Sequence, residues 1–241
     1  MNASDIYASS YSVAQASEAD RTTFYKRTYL HLGGAVAVFV ILEALLFSIP
    51  GIDRTVFSLL GQSRFSWLLV LGGFMAVSWI AEKWATSSVS KATQYGGLAL
   101  YVVAEALIFL PLLLIASRMM GQPELIGQAG IITAGLFAGL TFIAFTTKKD
   151  FSFLGGILKI AGFIALGLIA ASFFFGGLNL GVWFSAAMVL FAGGSILYQT
   201  SNIIHHYRKD QYVAASLGLF ASVALLFWYV LRILMAFSGR D

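Results

Sequence analysis

Residues 181–206 read GVWFSAAMVLFAGGSILYQTSNIIHH, and this stretch decides the class of fold. Its first part is an apolar run close to the roughly 20 residues with which an α-helix crosses about 30 Å of hydrocarbon. Its last part places Gln199, Ser201 and Asn202 one helical turn from the expected bilayer edge. Polar groups buried in hydrocarbon are costly unless they are paired. The stretch therefore predicts a membrane-spanning helix whose polar end packs inside a bundle or forms a functional site.

The composition of the whole chain supports a polytopic membrane protein. Hydrophobic residues make up 59% of the 241 residues and charged residues 11%, whereas soluble domains have about 45–50% and about 25%. The chain has no cysteine, which excludes disulfides, zinc–thiolate sites and cysteine nucleophiles. A net charge of +4 spread over short loops is typical of membrane topology, and it does not indicate a nucleic-acid partner.

The pattern of apolar segments predicts an all-α fold, a bundle of seven transmembrane helices. We expect residues 1–23 to form a flexible N-terminal tail, because they are polar and rich in Ser and Ala. Residues 24–241 form the membrane domain. The seven spans are expected at 28–49, 66–83, 96–117, 127–146, 154–175, 181–203 and 212–236.

The distribution of basic residues predicts the orientation of the bundle. The tail and alternate loops on its side hold nine, namely Arg21, Lys26, Arg27, Lys83, Lys91, Lys148, Lys149, Arg208 and Lys209. The other side holds four, namely Arg54, Arg64, Arg118 and Arg240. Because cytoplasmic loops are enriched in Lys and Arg, we expect a cytoplasmic N-terminus and, with seven spans, a periplasmic C-terminus.

Two carboxylates within the spans are candidates for an ion or proton path. Glu43 lies in the first span and Glu105 in the third, and an intramembrane carboxylate is a functional-site candidate that faces the bundle interior. The alternative is a protonated or hydrogen-bonded glutamate that serves packing, which we favour for Glu43 because it lies near the end of its span. Pro111, six residues after Glu105, is expected to kink the third helix. By contrast, Lys159 and Arg232 lie near span ends, where long side chains reach the headgroups.

No motif in the sequence predicts an enzyme, a cofactor or a metal site. The chain has no Walker motif, HExxH, GxSxG or paired carboxylates on one helix. Its histidines are His31 at a membrane entrance and the adjacent His205 and His206, which diverge on a helix. Interfacial hydrogen bonding is therefore the favoured interpretation of the histidines.

Four segments carry a resemblance to a known family. Residues 146–156 (TTKKDFSFLGG), 196–205 (ILYQTSNIIH) and 237–241 (FSGRD) resemble the Bax-inhibitor family in its bacterial YccA-like branch, and residues 105–111 (EALIFLP) are similar to its third-helix signature. The resemblance covers roughly residues 24–241. It implies a seven-helix fold in which the last helix is surrounded by the other six.

The resemblance also implies a mechanism that this sequence does not reproduce. Many relatives are described as calcium-permeable leak channels gated by a pair of aspartates, one in the sixth helix and one in the seventh. The corresponding positions here are Gln199 and Ser222. A close carboxylate pair can share a proton and titrate near neutrality, but an amide and a hydroxyl cannot. We therefore do not expect pH gating by this pair, although a leak through Glu105 and Glu43 remains open.

The YccA-like branch implies a second function. Its members are associated with the membrane-embedded AAA+ protease FtsH and its partner proteins, and a flexible tail over residues 1–23 would give such a machine a segment to engage. Three hypotheses follow. They are a non-enzymatic inner-membrane protein that modulates a membrane protease or another membrane complex, a cation or proton leak, and a structural accessory subunit of a membrane assembly.

Overall fold

The computed structural model describes residues 12–61, 63, 65–87, 90–147, 149–175 and 180–239. Within these residues the chain forms eight α-helices and no strand. Seven of the helices are long and apolar enough to cross a membrane, which confirms the predicted fold class. The helices are α1 (Glu18–Phe47), α2 (Ile52–Gly61), α3 (Ser66–Ala85), α4 (Lys91–Leu114), α5 (Glu124–Thr147), α6 (Leu154–Phe175), α7 (Val182–His205) and α8 (Tyr212–Ser238).

Helix α1 begins ten residues earlier than the apolar span that predicted it, at Glu18 instead of residue 28. Its start is set by Ser17, whose side-chain oxygen accepts a hydrogen bond from the Asp20 N–H at 3.2 Å. Residues 18–23, which the sequence analysis assigned to a flexible tail, are therefore helical. Hydropathy locates the hydrocarbon boundary, whereas N-capping locates the helix start. Residues 1–11 of the expected tail lie outside the described residues.

The last helix, α8, lies at the centre of the bundle, as the resemblance implied. It packs against α1, α3, α4, α5 and α7. Between Tyr212 and Leu231, buried side chains occur on every face of α8. This is the pattern of a helix that is enclosed by other helices. Helix α6 lies at the periphery, and its buried residue Ala165 joins a small cluster with Met188 and Tyr229.

The connections divide between two ends of the bundle. The Lys91 ammonium at the start of α4 donates to the main-chain oxygen of Asp210, and the Phe151 N–H donates to Ser201 Oγ at 2.8 Å. Together with the Val13 N–H just before α1, which donates to the Tyr207 carbonyl, these contacts gather the start of α1, the start of α4 and the connections 149–153 and 206–211 at one end, which we call the basic end. The described basic residues at this end are Arg21, Lys26, Arg27, Lys83, Lys91, Lys149, Arg208 and Lys209.

The opposite end is fastened by Arg118. Helix α4 continues through Pro111 to Leu114 and then passes into a π-helical turn, Ile115–Met119. From this turn, Arg118 donates to the Phe47 carbonyl at 3.0 Å and pairs with the Asp53 carboxylate at 3.1 Å. One cation thus ties the end of α1 to α2, and a positive charge at a helix C-terminus also complements the helix dipole.

The seam between α3 and α4 depends on one glycine. A Cβ atom placed on Gly97 would lie 2.4 Å from the Ala81 carbonyl oxygen and 2.6 Å from the Ala85 nitrogen. Ala81 and Ala85 are buried. The two backbones therefore approach as closely as glycine allows, and dispersion contacts hold them together.

Candidate functional site

The polar stretch of α7 faces α8 through two neighbouring contacts, which we call the α7–α8 seam. Ser222 Oγ donates to the Gly218 carbonyl at 2.9 Å, and it lies 2.8 Å from Ser195 Oγ. Because the Ser222 proton is used within α8, Ser195 is the donor between the two hydroxyls. One turn further along α7, the Gln199 carboxamide lies on Gly218, where a Cβ would come within 2.9 Å of its Cδ, Nε2 and Oε1 atoms. The seam is therefore neutral, hydrogen-bonded and filled.

Tyr207 closes the seam at the basic end. Its hydroxyl donates to Gln199 Oε1 at a long 3.5 Å. Burial raises the pKa of the Tyr207 phenol to about 12, because a phenolate would be poorly solvated there. The phenol therefore stays protonated and keeps its role as a donor to the carboxamide.

Ser201 and Asn202 do not join Gln199 in a common site. Ser201 is fully buried and accepts the Phe151 N–H while it donates to Asp150 Oδ1 at 3.2 Å. The main-chain carbonyl of Asn202 accepts hydrogen bonds from the N–H groups of His206 and Tyr207 at 2.8 and 2.9 Å. Both residues thus hold connections at the basic end, and we assign them a structural role.

Asp150 is the charged member of this network. Its carboxylate accepts the Ser152 N–H at 2.9 Å and lies 3.1 Å from His206 Nε2. The hydrogen bond from the Ser152 backbone is the largest cause that lowers the pKa of Asp150 below its usual value, and the charge of His206 acts in the same direction. The neighbouring His205 does not share this contact, since the two imidazole centres lie 6.2 Å apart.

Glu105 is buried between α3, α4 and α8. Only 5% of the residue is exposed, and Tyr101 lies one turn earlier on the same face of α4. The Tyr101 ring in turn packs against Phe74 of α3 and Phe220 of α8. Glu105 is therefore buried beside an aromatic cluster that joins α3, α4 and α8.

Glu43 is also buried, but it lacks a partner. It is 7% exposed, and neither carboxyl oxygen has a hydrogen bond to any described residue. Phe39 of α1 packs edge-on against Phe109 of α4. Glu43 lies four residues after Phe39 on α1, and Glu105 lies four residues before Phe109 on α4. At about 1.5 Å per residue, the two glutamates are therefore separated by about 12 Å along the helix axes. The structure thus places the two carboxyl groups at different depths and does not pair them.

Sequence reasoning missed a contact made by the first described residues. The Val13 N–H donates to the Tyr207 carbonyl at 2.8 Å, Ser12 forms an antiparallel bridge with Arg208, and the Val13 side chain is fully buried. We call residues 12–16 the N-terminal clasp. A single Val in a polar run gives no periodic signal, so its docking could not be read from the sequence.

These features define the class of protein. Six spanning helices surround or flank the seventh, the central α8, and Ser195 and Ser222 form a neutral hydrogen bond across the α7–α8 seam. Among the described residues, no three His, Asp or Glu side chains converge as metal ligands would. The chain is a multi-pass helical membrane protein.

Comparison with known proteins assigns the family. Residues 21–239 match the family described as inhibitor of apoptosis-promoting Bax1. The chain therefore belongs to the Bax-inhibitor family, as the sequence motifs indicated.

The curated relatives are similar to this chain over about half of their own length. A Pseudomonas aeruginosa protein of uncharacterised function is 39% identical over 132 residues, 53% of this chain and 58% of that protein. The Escherichia coli modulator of FtsH protease YccA is 37% identical over 124 residues, 50% of this chain and 54% of that protein. Bax inhibitor 1 of Schizosaccharomyces pombe is 34% identical over 120 residues, 49% of this chain and 45% of that protein.

Proposed function

We propose that this protein is a non-enzymatic component of the bacterial inner membrane that binds and modulates a membrane-embedded AAA+ protease of the FtsH type. The likeness to a relative named as a modulator of that protease supports the proposal. The structural observation that carries it is the α7–α8 seam. Where gated relatives are described as having two aspartates, this chain has Gln199 packed on Gly218 and Ser222 bonded to Ser195, so the seam has no titratable gate.

The proposal places the basic end in the cytoplasm and the C-terminus in the periplasm. The excess of Lys and Arg at the basic end supports this orientation. The N-terminal clasp then lies on the side of the membrane where ATP is available to an unfolding motor. Residues 12–16 would be the first described element that such a motor meets when it pulls from the N-terminus.

The clasp gives a direct test. An unfolding protease engages a loose terminus most readily, and Val13→Asp would place a charge in a fully buried position. We expect Val13→Asp to release the clasp and shorten the lifetime of the protein in cells that contain the protease, with no change in cells that lack it. Ala14→Asp is the matched control, because Ala14 is exposed in the same turn.

A second arm measures the interaction itself. The full-length protein with a C-terminal tag should co-purify with the protease, and deletion of residues 2–11 should lengthen its lifetime. If Val13→Asp and Ala14→Asp decay at the same rate as the unmodified protein and no protease co-purifies, the proposal is wrong. Co-purification of a different membrane complex at fixed stoichiometry would instead support the structural-subunit alternative.

A cation or proton leak is the second candidate, and Glu43 favours it. A buried carboxyl group without a hydrogen-bond partner costs free energy, and such a group inside a membrane protein is a common feature of ion or proton paths. Purified protein in liposomes loaded with a calcium dye or a pH dye tests this function. Flux that Glu43→Gln and Glu105→Gln both abolish would support the leak, and no flux from the unmodified protein would reject it.

A further inference from the structure

A cluster of cations lies at the level of the lipid phosphates. Helix α1 has 30 residues, which is about 45 Å at 1.5 Å per residue. Its apolar part, residues 28–47, spans about 30 Å and so matches the hydrocarbon. Arg27 is the last residue before this part, and it therefore lies at the boundary between hydrocarbon and headgroups.

At this boundary the protein has a cleft of about 330 Å³. It lies between α1, the first residue of α4 and the connection that leads into α8. Its walls include the cations Arg27, Lys91 and Lys209, the acidic residues Asp20 and Asp210 and the ring of Tyr212. Two helices, α4 and α8, begin at the cleft with Lys91 and Tyr212, and the positive ends of their dipoles add to the charge of the side chains.

Two of the cations share one aromatic ring. The Arg27 guanidinium carbon lies 5.4 Å from the centre of the Tyr212 ring, and the Lys91 ammonium lies 4.4 Å from it. Lys91 donates to two neutral oxygens, Gln94 Oε1 at 3.0 Å and the main-chain oxygen of Asp210. The ring and the neutral acceptors hold both cations in place, but they do not neutralise the charge.

The nearby carboxylates leave an excess of positive charge. The Asp210 carboxylate accepts a hydrogen bond from Arg208 Nε at 3.2 Å. Arg208 therefore neutralises the charge of Asp210, and Asp210 does not neutralise Arg27, Lys91 or Lys209. None of the ion pairs among the described residues includes Arg27, Lys91 or Lys209. Three cations therefore face one remaining carboxylate, that of Asp20, which lies about two turns further from the membrane than Arg27 on α1. Arg27 and Lys91, both over the Tyr212 ring, repel each other, and an anion bound between them would offset this repulsion.

The lower side of the cleft continues toward the lipid. The Tyr212 hydroxyl lies 3.3 Å from the Tyr95 hydroxyl, which lies 3.0 Å from His31 Nε2. Tyr95 is 41% exposed and Leu30, beside His31, is 63% exposed. The polar cleft at the headgroup level is thus followed, toward the hydrocarbon, by the exposed side chains of Tyr95 on α4 and Leu30 on α1, and this order of polar and then apolar surface is that of a phospholipid.

We propose that this cleft binds a phosphate group, with the headgroup of an anionic phospholipid as its source. Arg27 and Lys91 contact the phosphate oxygens, and Lys209 adds charge from the loop. The acyl chains lie along the exposed surface between α1 and α4. This site is separate from the α7–α8 seam, and it does not depend on the proposed function.

Titration of the full-length protein in detergent tests the site. Phosphatidylglycerol, phosphatidylcholine and inorganic phosphate are added separately, and retained ligand is measured by native mass spectrometry together with the unfolding midpoint. We expect phosphatidylglycerol to bind and raise the midpoint, and phosphatidylcholine to do neither. Each of Arg27→Gln, Lys91→Gln and Lys209→Gln should weaken binding about fivefold, the typical contribution of one cation near anionic lipid.

Lys26→Gln is the matched control, because it removes the same charge from the adjacent, exposed position of α1 outside the cleft. It should leave binding unchanged. A response to inorganic phosphate alone would support the phosphate site with a soluble ester as its source. Equal binding of phosphatidylglycerol and phosphatidylcholine by the unmodified protein, or an equal loss in Lys26→Gln, would overturn the proposal. Lys209 lies in an exposed turn, so its variant tests the site without disturbing a helix.

Discussion

The α3–α4 seam and the α7–α8 seam both depend on a glycine, but the two glycines face different neighbours. At Gly97 the nearest atoms are the backbone of Ala81 and Ala85 on the facing helix. At Gly218 the nearest atoms are those of one side-chain carboxamide, that of Gln199. Glycine in the first seam brings two helices together, whereas in the second it makes room for a polar group.

This difference makes one helix interface rigid and allows the other to adapt. Backbone atoms cannot move without shifting a whole helix, but the end of a glutamine side chain can rotate. The α3–α4 seam is therefore fixed in its geometry. The α7–α8 seam can accept small changes, and this is the seam where gated relatives are described as having titratable residues.

Gly97→Ala should have the largest effect on stability. The added Cβ would lie 2.4 Å from the Ala81 oxygen, so α3 and α4 must separate, at a cost of about 3 kcal/mol. Thermal unfolding in detergent, followed by circular dichroism, measures the change. Gly96→Ala is the control, because its nearest neighbour is a Trp84 ring carbon at 3.8 Å and alanine favours the helix. Equal midpoints for the two variants would contradict the close packing of the seam.

Gly218→Ala should cost less, about 1 kcal/mol, because the Gln199 carboxamide can rotate away from the new methyl group. The same substitution in a Gln199→Ala background should be neutral or stabilising, because the neighbour at 2.9 Å is then absent. The free energy of unfolding of the two single variants and the double variant gives the coupling between the positions. Strict additivity would show that Gln199 does not lie on Gly218.

Ser222→Ala should cost about 0.6 kcal/mol, a typical value for a hydrogen bond between membrane helices. It removes the acceptor of Ser195 at 2.8 Å. Ser185→Ala is the matched control in α7, because Ser185 is buried and bonds at 3.4 Å to the Gly181 carbonyl next to its own helix. The difference between the two midpoints measures the interhelical bond, and identical midpoints would argue against it.

The smallest effect is expected at Asp150, which lies where the end of α7 meets the connection before α6. Hydrogen bonding from Ser152 lowers its pKa from 3.8, so its contribution to stability is present above this value and is lost as the pH falls below it. Since the side chain is 45% exposed, we expect only a few tenths of a kcal/mol. The unfolding midpoint of Asp150→Asn should therefore fall less on acidification than that of the unmodified protein. A parallel fall in both would contradict this assignment.

The sequence was sufficient to predict the seven spanning helices of the fold. Long apolar segments separated by short charged loops predict spanning helices by length and hydropathy alone, and the structure confirms seven of them. The early start of α1 was also readable, because Ser17 and Asp20 have the spacing of a capping box. The short helix α2 (Ile52–Gly61) was missed, since its ten residues are too few to span a membrane.

The partners inside the site could not be predicted, because they depend on how each helix is rotated about its axis. The sequence places Gln199 and Ser222 on facing helices only by resemblance, and it does not show that Gly218 lies beneath the carboxamide. The two glutamates are alike in hydropathy and residue type. Only the structure shows that both are buried and that neither Glu43 carboxyl oxygen has a hydrogen-bond partner among the described residues.

The length of α1 makes the protein sensitive to the thickness of its membrane. The first ten residues of this helix, 18–27, extend about 15 Å outside the hydrocarbon at 1.5 Å per residue. A thicker bilayer would draw Arg27 and Tyr95 into the acyl region unless the lipid thins locally, and a thinner one would tilt the helix. Because residues 12–16 are fastened to Tyr207 and Arg208, any such change in α1 is also felt at the connection that leads into the central helix α8.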